Sequence, residues 1–535
     1  MTLHARLLIF LAATTTLLAA CGGGSNDPAP APATPAPPAS VRLAPAMTSI
    51  SKDLSQGDEL AITLGGTWTG SNLGSAPVYL QMRDAANGLV GETRLLQPSE
   101  TLGSVTTAAT LGAGQHVGNL ELRACADAQC GTVYAESTMS LPYSLDVAVV
   151  TDWETHQRDA AHRGYVPITL KPSRFALAWE WQRPPATEPI GAINSVATAA
   201  GKVYVTTDVY HGEATLYALD ESTGGEAWKR AFGVMPALAP PAVANGKVYA
   251  ATSGHADSFL WAFDAAQGNL LGKASFDAQW PNLLAPTPSG SLVFTGAGYY
   301  GSDTYAFSTE NYTRAWMHSA GGARDMFTPA ADAGAVYHYN GESLYVIDRA
   351  AGTTSFSIAD PFGKNYTFGH YGSPILGGRK NVLAFAGNTF SGRAASSAEP
   401  YDQRVISSFN LENRSFEWAT ANAYMTTPAV ANGVIYAGRN SPMSLDAIDE
   451  ASGKVLWSWV PSGNGDASFH RNVVVTNNLL FVSTDIAVYA IDLASKTPVW
   501  RYPKPGMLAI SADRTLYIAT GATLSDGGLV AVKLK

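Results

Sequence analysis

Short alternating runs of apolar residues, each followed by a turn, recur along the C-terminal two-thirds of the chain. The runs end at Asp220, Asp264, Ser308, Asp348, Asn410, Asp449, Asp492 and Lys533, mostly 39 to 44 residues apart. A repeat of this length, built from short strands and from Gly, Asn and Ser turns, is typical of four-stranded blades arranged around an axis. The pattern therefore predicts an all-β fold, with an eight-bladed β-propeller over residues 150–535.

The sixth repeat shows the predicted strands of one blade. Ala429–Val430 and Val434–Ala437 flank the pair Asn432-Gly433, which suits the positive φ angles of a tight hairpin. Ser444–Ile448 is the predicted third strand, and Val455–Trp459 is the predicted fourth strand.

An aromatic residue recurs at one position of the predicted outer strand, here called the docking position. Trp457 occupies it in the sixth repeat, and the second repeat has Leu271 or Gly272 there. The other aromatics at this position are Trp228, Trp316, Phe356, Trp418 and Trp500. Large rings at one fixed position are expected to pack between neighbouring blades.

The eighth repeat ends at Lys535, directly after its third predicted strand. An unpaired outer edge invites aggregation, so the ring needs a fourth strand from elsewhere. Leu177–Trp181 (LAWEW) matches Val455–Trp459 (VLWSW) position for position. The sequence therefore predicts that an N-terminal strand closes the ring and that Trp179 occupies the eighth docking position.

Residues 41–149 alternate between apolar and polar positions in several runs of strand length, with no helical period. We predict a small immunoglobulin-like β-sandwich there. Cys125 and Cys130 flank a short turn and are expected to form a cross-strand disulfide in an oxidising compartment. A zinc site is the less favoured alternative, because the sequence offers no second pair of ligands nearby.

Residues 1–21 contain a basic residue and an apolar stretch that ends in Leu18-Ala19-Ala20-Cys21. This resembles a bacterial lipoprotein signal peptide, which implies lipid attachment at Cys21 and a membrane anchor. An ordinary secretory signal with a chance cysteine is the alternative. Gly22 and Gly23, in place of Asp, favour the outer membrane as the destination. Residues 22–40 are predicted to be a Pro/Ala-rich linker.

The charge pattern argues against nucleic acid as a partner. The chain has 34 Lys and Arg residues and 43 Asp and Glu residues, which gives a formal net charge of −9. The sequence shows no basic stripe, and phosphate binding requires clustered cations.

The pattern Ala-x-Asp-x-x-x-Gly-x-x-x-Trp occurs at Ala218–Trp228 and at Ala447–Trp457. With the segment Asp152–Tyr165 (DWETHQRDAAHRGY), it resembles the pyrroloquinoline-quinone-like (PQQ-like) repeat propellers. That family contains quinone-dependent dehydrogenases and non-catalytic scaffolds. The resemblance implies that a dehydrogenase would have two adjacent cysteines against the quinone, calcium ligands and an Asp base. The chain has no adjacent cysteines, so neither a quinone cofactor nor a metal ion is expected.

Function in propellers concentrates on the face formed by the loops between blades and by the loops between second and third strands. On this face the repeats place residue types suited to contacts with a protein or a polar ligand. They are Tyr210, His211, His255, Tyr299, Tyr300, Arg324, Asp325, His370, Tyr371, Tyr424, His470 and Arg471. An insertion in the fifth repeat, residues 393–403, is either a further binding element or a disordered loop.

These observations predict a non-catalytic scaffold that is anchored by lipid in the bacterial outer membrane and binds a protein partner in the cell envelope. In this respect the chain is similar to the propeller lipoproteins of the outer-membrane β-barrel assembly machinery. Two alternatives stay open: a PQQ-dependent dehydrogenase, and a propeller that binds or degrades polysaccharide. For a degrading enzyme, Asp325 beside Arg324, with His370 and His470, could supply an acid and a base.

Overall fold

The structure of the protein is a computed structural model. It describes residues 37–535 except for 98–100, 185–191, 255–257, 279–283, 298–302, 321–326, 363–370, 387–404, 463–464 and 522–526, and only the backbone of 371–372 and 385–386. Strands form nearly all of the regular structure, and the helical content of the described residues is one 3-10 turn, Pro172–Arg174. The predicted all-β class is confirmed. In the described part of the chain, no helix is long and apolar enough to cross a membrane.

The N-terminal domain consists of two facing β-sheets. Its strands are β1 (Ser40–Pro45), β2 (Ile50–Ser55), β3 (Ala61–Ser71), β4 (Tyr79–Asp84), β5 (Leu89–Gly91), β6 (Arg94–Leu95), β7 (Thr101–Thr107), β8 (Gly114–Cys125) and β9 (Met139–Ala148). One sheet has the order β1-β3-β7-β5 and the other the order β2-β9-β8-β4-β6, with β2 and β9 parallel. Leu64, Leu80 and Leu120 belong to the buried core between the sheets. The domain is a β-sandwich, and its immunoglobulin-like character stays a prediction.

Cys125 ends β8, and Cys130 lies in the turn that follows, where its φ angle is +57°. The Asp127 carboxylate holds this turn by accepting hydrogen bonds from three of its backbone N–H groups. The Cα atoms of the two cysteines are 5.0 Å apart, a separation found in disulfides. The expected link would therefore join a strand to a turn, not two strands, and the disulfide stays a prediction.

Eight four-stranded antiparallel sheets follow in the described residues, and we number these blades 1 to 8 in chain order. Blade 1 contains β11 (Ala197–Ala199), β12 (Lys202–Thr206), β13 (Gly212–Asp220) and β14 (Glu226–Met235); blade 2 contains β15 (Ala242–Ala244), β16 (Lys247–Thr252), β17 (Phe259–Asp264) and β18 (Leu270–Ser275); blade 3 contains β19 (Thr287–Ser289), β20 (Leu292–Ala297), β21 (Asp303–Ser308) and β22 (Arg314–Ser319). Blade 4 contains β23 (Ala330–Ala331), β24 (Ala335–Tyr339), β25 (Ser343–Asp348) and β26 (Thr354–Ala359); blade 5 contains β27 (Tyr371–Leu376), β28 (Asn381–Ala386), β29 (Ile406–Asn410) and β30 (Ser415–Ala419); blade 6 contains β31 (Ala429–Ala431), β32 (Val434–Asn440), β33 (Met443–Asp449) and β34 (Val455–Trp459). Blade 7 contains β35 (Phe469–Val475), β36 (Leu479–Thr484), β37 (Val488–Asp492) and β38 (Thr497–Tyr502); blade 8 contains β39 (Met507–Ile510), β40 (Thr515–Thr520), β41 (Gly528–Lys533) and, from the N-terminal side, β10 (Ala176–Gln182).

Strand β10 closes the ring by pairing antiparallel with β41, and Trp179 lies opposite Ala531. The register shifts by one residue at Ala178, just before Trp179, as it does at Leu456 before Trp457 in blade 6. The same shift precedes the docking position on every other outer strand of the described blades. Bulges bend and twist a strand, so β10 has the geometry of a true outer strand.

The aromatic at the docking position packs on the outer turn of the next blade. Trp228 Nε1 donates a hydrogen bond to the carbonyl oxygen of Ala265 at 3.1 Å. A Cβ at Gly268, whose φ angle is +69°, would lie 2.5 Å from the Trp228 ring. Glycine is therefore needed there both for its backbone conformation and for the space it leaves. The same ring-on-glycine contact joins Trp179 to Gly224, Trp316 to Gly352 and Trp418 to Gly453.

Residues 152–165, which we call the axial segment, contact all eight blades. In seven blades the contacts fall in the first strand or in the turn that follows it, and in blade 3 the contact lies just before the first strand. The segment therefore covers the axis of the ring at the end formed by these turns. In blade order from 1 to 8, they are Trp153 O with Thr198 N, Glu154 O with Val243 N, Thr155 Oγ1 with Pro286 O, Ala160 O with Ala331 N, Ala161 O with Leu376 N, Arg163 O with Val430 N, Gly164 O with Val475 N, and Asp152 Oδ1 with Ala512 N.

The axial segment carries two buried histidines, His156 and His162, whose rings meet edge to face with centroids 5.2 Å apart. His162 Nδ1 lies 3.0 Å from the carbonyl oxygen of Pro374, and its Nε2 lies 3.1 Å from Thr287 Oγ1. Burial lowers the pKa of His156 well below its ordinary value and lowers the pKa of His162 to about 4. Both rings are therefore neutral at pH 7.

A buried ion pair joins the sandwich to blade 8. Arg514 Nη2 lies 2.7 Å from Asp58 Oδ1, and the two side chains are 6% and 3% exposed. Arg514 also donates to the carbonyl oxygens of Gln56 and Thr169, and Asp58 accepts from the Thr169 N–H. Separating the domains would break this ion pair and the hydrogen bonds around it, so the contact favours one relative orientation of the two domains.

Candidate binding face

The loops between blades and the loops between second and third strands lie at the end of the ring opposite the axial segment. We call this end the loop face. The turns between first and second strands, and between third and fourth strands, lie at the other end, which we call the turn face. This division follows from the meander order of each blade.

Blade 1 extends further than its neighbours on the loop face. Strands β13 and β14 have 9 and 10 residues and stay paired as far as Gly212 and Met235. Tyr210 and His211 lie in the loop before β13 with their rings 4.7 Å apart, and Tyr210 is 53% exposed. Val234, near the end of β14, is 68% exposed. Tyr210, His211 and Val234 form what we call the blade 1 patch.

A small apolar cluster lies beneath the blade 1 patch. Val209 is buried and packs with Ala214, Leu238 and Ala250. The N–H of His211 donates to the carbonyl oxygen of Pro236 at 3.1 Å. Because the loop is anchored on both sides, the patch needs little ordering when a partner binds.

His470 and Arg471 line a cavity of about 120 Å³ on the loop face, where blades 7, 8 and 1 meet. Asp485, Met507 and Ile193 form other parts of its wall. The register of β35 shifts between His470 and Val473, and Arg471 has a φ angle of +66°. Bulges commonly re-aim side chains beside binding sites, and this one brings two polar side chains to the cavity.

The backbone around His470 and Arg471 is held by local hydrogen bonds. Ser468 Oγ lies 2.7 Å from His470 Nε2, and the Arg471 carbonyl oxygen accepts from the N–H of Thr427 at 2.9 Å. The Asp485 carboxylate accepts from the N–H groups of Ala467 and Ser468. The cavity is therefore pre-formed, with one basic side chain and an apolar lining from Met507.

Tyr424 does not contribute to the loop-face surface, and its assignment as a binding residue is wrong. The side chain is 2% exposed, and its hydroxyl donates to Asp446 Oδ2 at 3.1 Å. Burial and then the Asp446 charge raise the pKa of Tyr424. Asp446 is fully buried and also binds Arg439 Nε at 2.9 Å. The Tyr424 ring points inward, where its hydroxyl is one of the donors to the buried Asp446 carboxylate. The position of Tyr424 in a loop does not reveal this contact.

Several predicted site residues lie outside the described residues: Cys21, His255, Tyr299, Tyr300, Arg324, Asp325 and His370. Tyr371 begins β27, where its backbone pairs with Ala386. The proposed acid and base pair of Asp325 and His370 therefore stays a prediction.

Sequence reasoning did not identify Val234, Asp485, Met507 or Ile193 as site residues. Val234 lies just beyond a register shift at Phe232 in β14, and the extra residues after Trp228 are the signal that could have located it. Asp485 lies in the loop between β36 and β37 of blade 7 and Met507 begins β39 of blade 8, and ring closure brings them beside Ile193.

The ring of four-stranded blades, with a tryptophan of one blade seated on a turn glycine of the next, defines a PQQ-like repeat β-propeller. The sequence matches the family described as "Outer membrane protein assembly factor BamB" over residues 176–309 and 256–502. Together these matches span more than half of the chain, which belongs to this family.

Other proteins share parts of the sequence or the fold. Tetrathionate hydrolase of Acidithiobacillus ferrooxidans is 25% identical over 331 residues, which is 52% of this chain and 62% of that protein. A europium-containing methanol dehydrogenase has a TM-score of 0.51 at 13% identity, over 72% of this chain and 98% of that chain. A quinohemoprotein alcohol dehydrogenase from Comamonas testosteroni has a TM-score of 0.50 at 14% identity, over 71% of this chain and 80% of that chain. At these identities the two solved structures establish similarity of fold alone.

The loop-face cavity does not fit a quinone. Cofactor pockets commonly measure about 300–1,000 Å³, whereas this cavity measures about 120 Å³. All three cysteines of the chain, Cys21, Cys125 and Cys130, precede the ring and are not adjacent in sequence. No quinone chemistry is therefore assigned to this site.

Proposed function

We propose that the protein is a non-catalytic scaffold of the bacterial cell envelope, which is anchored through lipid on Cys21 and binds a protein partner through the loop face without a quinone or a metal ion. The observation that carries this proposal is the blade 1 patch, with its exposed Tyr210 and Val234 on a supported loop. The family description names an assembly factor for outer membrane proteins, which supports a role in outer-membrane assembly.

The loop face suits a protein partner in two ways. Tyrosine is among the residues that contribute most to binding energy at protein interfaces, and Tyr210 is presented on a pre-ordered loop. The cavity beside Arg471, of about 120 Å³, has the size of a single large side chain and could receive an acidic or polar anchor from the partner.

Affinity capture from detergent-solubilised membranes tests the partner. We expect the full chain to recover one membrane protein, and the double variant Tyr210→Ser/Val234→Ser to lose it. Val499→Ser, at a 42% exposed position of outer strand β38, is the matched control and should retain the partner. Recovery of the same protein by the double variant, or of none by the wild-type chain, would contradict the proposal.

Membrane fractionation tests the anchor separately. The chain should sediment with outer membranes when Cys21 is present and should move to the soluble fraction in Cys21→Ser. Sedimentation of Cys21→Ser with membranes would contradict lipid attachment at this residue without affecting the partner experiment.

A hydrolase is the second candidate, because the sequence similarity to tetrathionate hydrolase spans 52% of this chain. The test is consumption of tetrathionate by the purified full chain. Turnover that Arg471→Ala abolishes would replace the scaffold proposal with this one.

A further inference from the structure

A second cavity, of about 310 Å³, lies on the turn face between blades 5 and 6. Arg163 of the axial segment and Arg379, in the turn after β27, line it together with Glu450 of blade 6. Asn432 and Tyr165 add polar groups to the wall. The volume is in the range of about 300–1,000 Å³ found for small-molecule sites.

Both arginines are held in place and keep N–H groups available. Arg163 donates through Nε to the Leu376 carbonyl oxygen at 2.8 Å and through Nη2 to the Gly377 carbonyl oxygen at 3.3 Å. Arg379 Nη1 donates to the Glu450 carbonyl oxygen at 3.3 Å. Arg379 Nη1 also lies 3.9 Å from Glu417 Oε2, and within the described residues no acceptor is found for Arg163 Nη1 or Arg379 Nη2.

The junction between blades 5 and 6 departs from the docking arrangement found at other junctions. At blades 1 and 2, Trp228 Nε1 donates to the carbonyl oxygen after the turn aspartate, that of Ala265. At blades 5 and 6 the equivalent carbonyl oxygen, that of Glu450, receives Arg379 instead. Trp418 Nε1 is left buried without a partner among the described residues.

Glu450 adds a second unpartnered atom at the same place. The side chain is fully buried, and Oε1 accepts from the N–H of Gly378 at 2.7 Å. Oε2 has no hydrogen-bond partner in the described part of the chain. Buried polar groups are nearly always hydrogen-bonded, so the unpartnered Glu450 oxygen in the wall of this cavity is suited to accept from a ligand donor.

We propose that this cavity binds a small zwitterion, a carboxylate that also carries an ammonium group, such as a free α-amino acid. Guanidinium groups bind carboxylates through paired hydrogen bonds, and two of them are available here. An ammonium group has three N–H donors. One of them could bond to Glu450 Oε2, which has no donor among the described residues. A simple anion would meet the like charge of Glu450, whereas a zwitterion matches both signs of charge in the wall.

Titration calorimetry on the purified full chain tests this with L-alanine and two analogues, each of which lacks one of its charged groups. L-alanine carries both charged groups, propionate carries the carboxylate, and ethylamine carries the ammonium group. We expect saturable binding of L-alanine with a dissociation constant of about 1 mM or lower. Propionate and ethylamine should bind at least about tenfold more weakly, which is the loss of about one charged hydrogen bond.

Two variants separate the roles of the side chains. Arg379→Gln should weaken the binding of L-alanine at least about tenfold. The matched control is Arg42→Gln, at an exposed position of β1, which should leave the affinity for L-alanine unchanged. Glu450→Gln should remove the preference for L-alanine over propionate while the near-ultraviolet circular dichroism stays unchanged. If Glu450→Gln does not fold, the affinity of Arg379→Gln for L-alanine alone tests the proposal.

Absence of saturable L-alanine binding, equal affinity for propionate, or full affinity in Arg379→Gln would each overturn the proposal. These outcomes are independent of the loop-face experiments, because the cavity lies at the opposite end of the ring.

Discussion

Gly272 and Tyr312 invert the arrangement found at four other blade junctions, where an aromatic ring packs on a turn glycine. The docking position of blade 2 holds Gly272 in place of an aromatic, and the turn position of blade 3 holds Tyr312 in place of glycine, at a φ angle of +58°. A Cβ on Gly272 would lie 2.4 Å from the Tyr312 ring. The Tyr312 ring therefore fills the space between blades 2 and 3 from the side of blade 3, whereas at the four junctions with a turn glycine the ring comes from the preceding blade.

Exchanging both residues tests this reciprocity. Tyr312→Gly should lower the free energy of unfolding by about 3–5 kcal/mol, because it removes a ring and leaves a cavity. Gly272→Trp alone should also destabilise, because the new ring meets Tyr312. The double variant restores the common arrangement, so its loss should be smaller than the sum of the two single losses by about 0.5–3 kcal/mol. Urea unfolding measures all three, and simple additivity would contradict the reciprocity.

At the scale of elements, the outer strands share one construction. Each has a one-residue register shift directly before the docking position, and β10 has it at Ala178 although 345 or more residues separate this strand from its partner β41. The shift twists the strand and places the ring over the adjacent turn. Trp179 reaches blade 1 in this way and donates from Nε1 to the Glu221 carbonyl oxygen at 2.9 Å.

The closing strand gives the second stability prediction. Trp179→Ala should lower the free energy of unfolding by about 3–5 kcal/mol, because it empties the contact between blades 8 and 1. Leu177→Ala, on the same strand but 54% exposed, is the control and should change it by less than about 0.5 kcal/mol. Equal effects of the two substitutions in urea unfolding would show that β10 does not close the ring through Trp179.

At the scale of the whole molecule, the axial segment connects all eight blades through residues that are close together in sequence. Trp153, Glu154 and Ala161 bond to blades 1, 2 and 5 within nine residues. Contacts of this kind couple distant blades, so the ring is expected to unfold as one unit. The buried His156 and His162 make that unit sensitive to acid.

The pH dependence of stability follows from these two histidines. Their folded-state pKa values lie below the ordinary value of 6.5, and that of His162 is about 4. Between those values the unfolded chain binds more protons than the folded chain, so the free energy of unfolding should fall as the pH decreases below 6.5. The slope should reach about 1.4 kcal/mol per pH unit for each histidine.

Urea unfolding between about pH 7 and about pH 5 measures that slope. His162→Asn, which tolerates the φ angle of +58° at this position, should reduce it by about half. His116→Asn, in the exposed part of β8, is the control. Parallel curves for wild type and His162→Asn would contradict a role of this histidine in the acid response.

The sequence by itself determined the repeat architecture and its closure. Period, turn glycines and docking aromatics are local signals, and they located β34 at Val455–Trp459 and the closing strand around Trp179. They succeed because each blade must bury the same faces against its neighbours, which forces the same residue types to recur.

The tertiary structure decided what lies at the two ends of the ring. The cavity beside His470 joins loops of blades 7, 8 and 1, and Tyr424 turns inward to a buried Asp446, although both are loop-face positions by sequence. The Arg163–Arg379–Glu450 cavity likewise combines the axial segment with two blades. These groupings have no period in the sequence, because they depend on which side chains meet once the ring has closed.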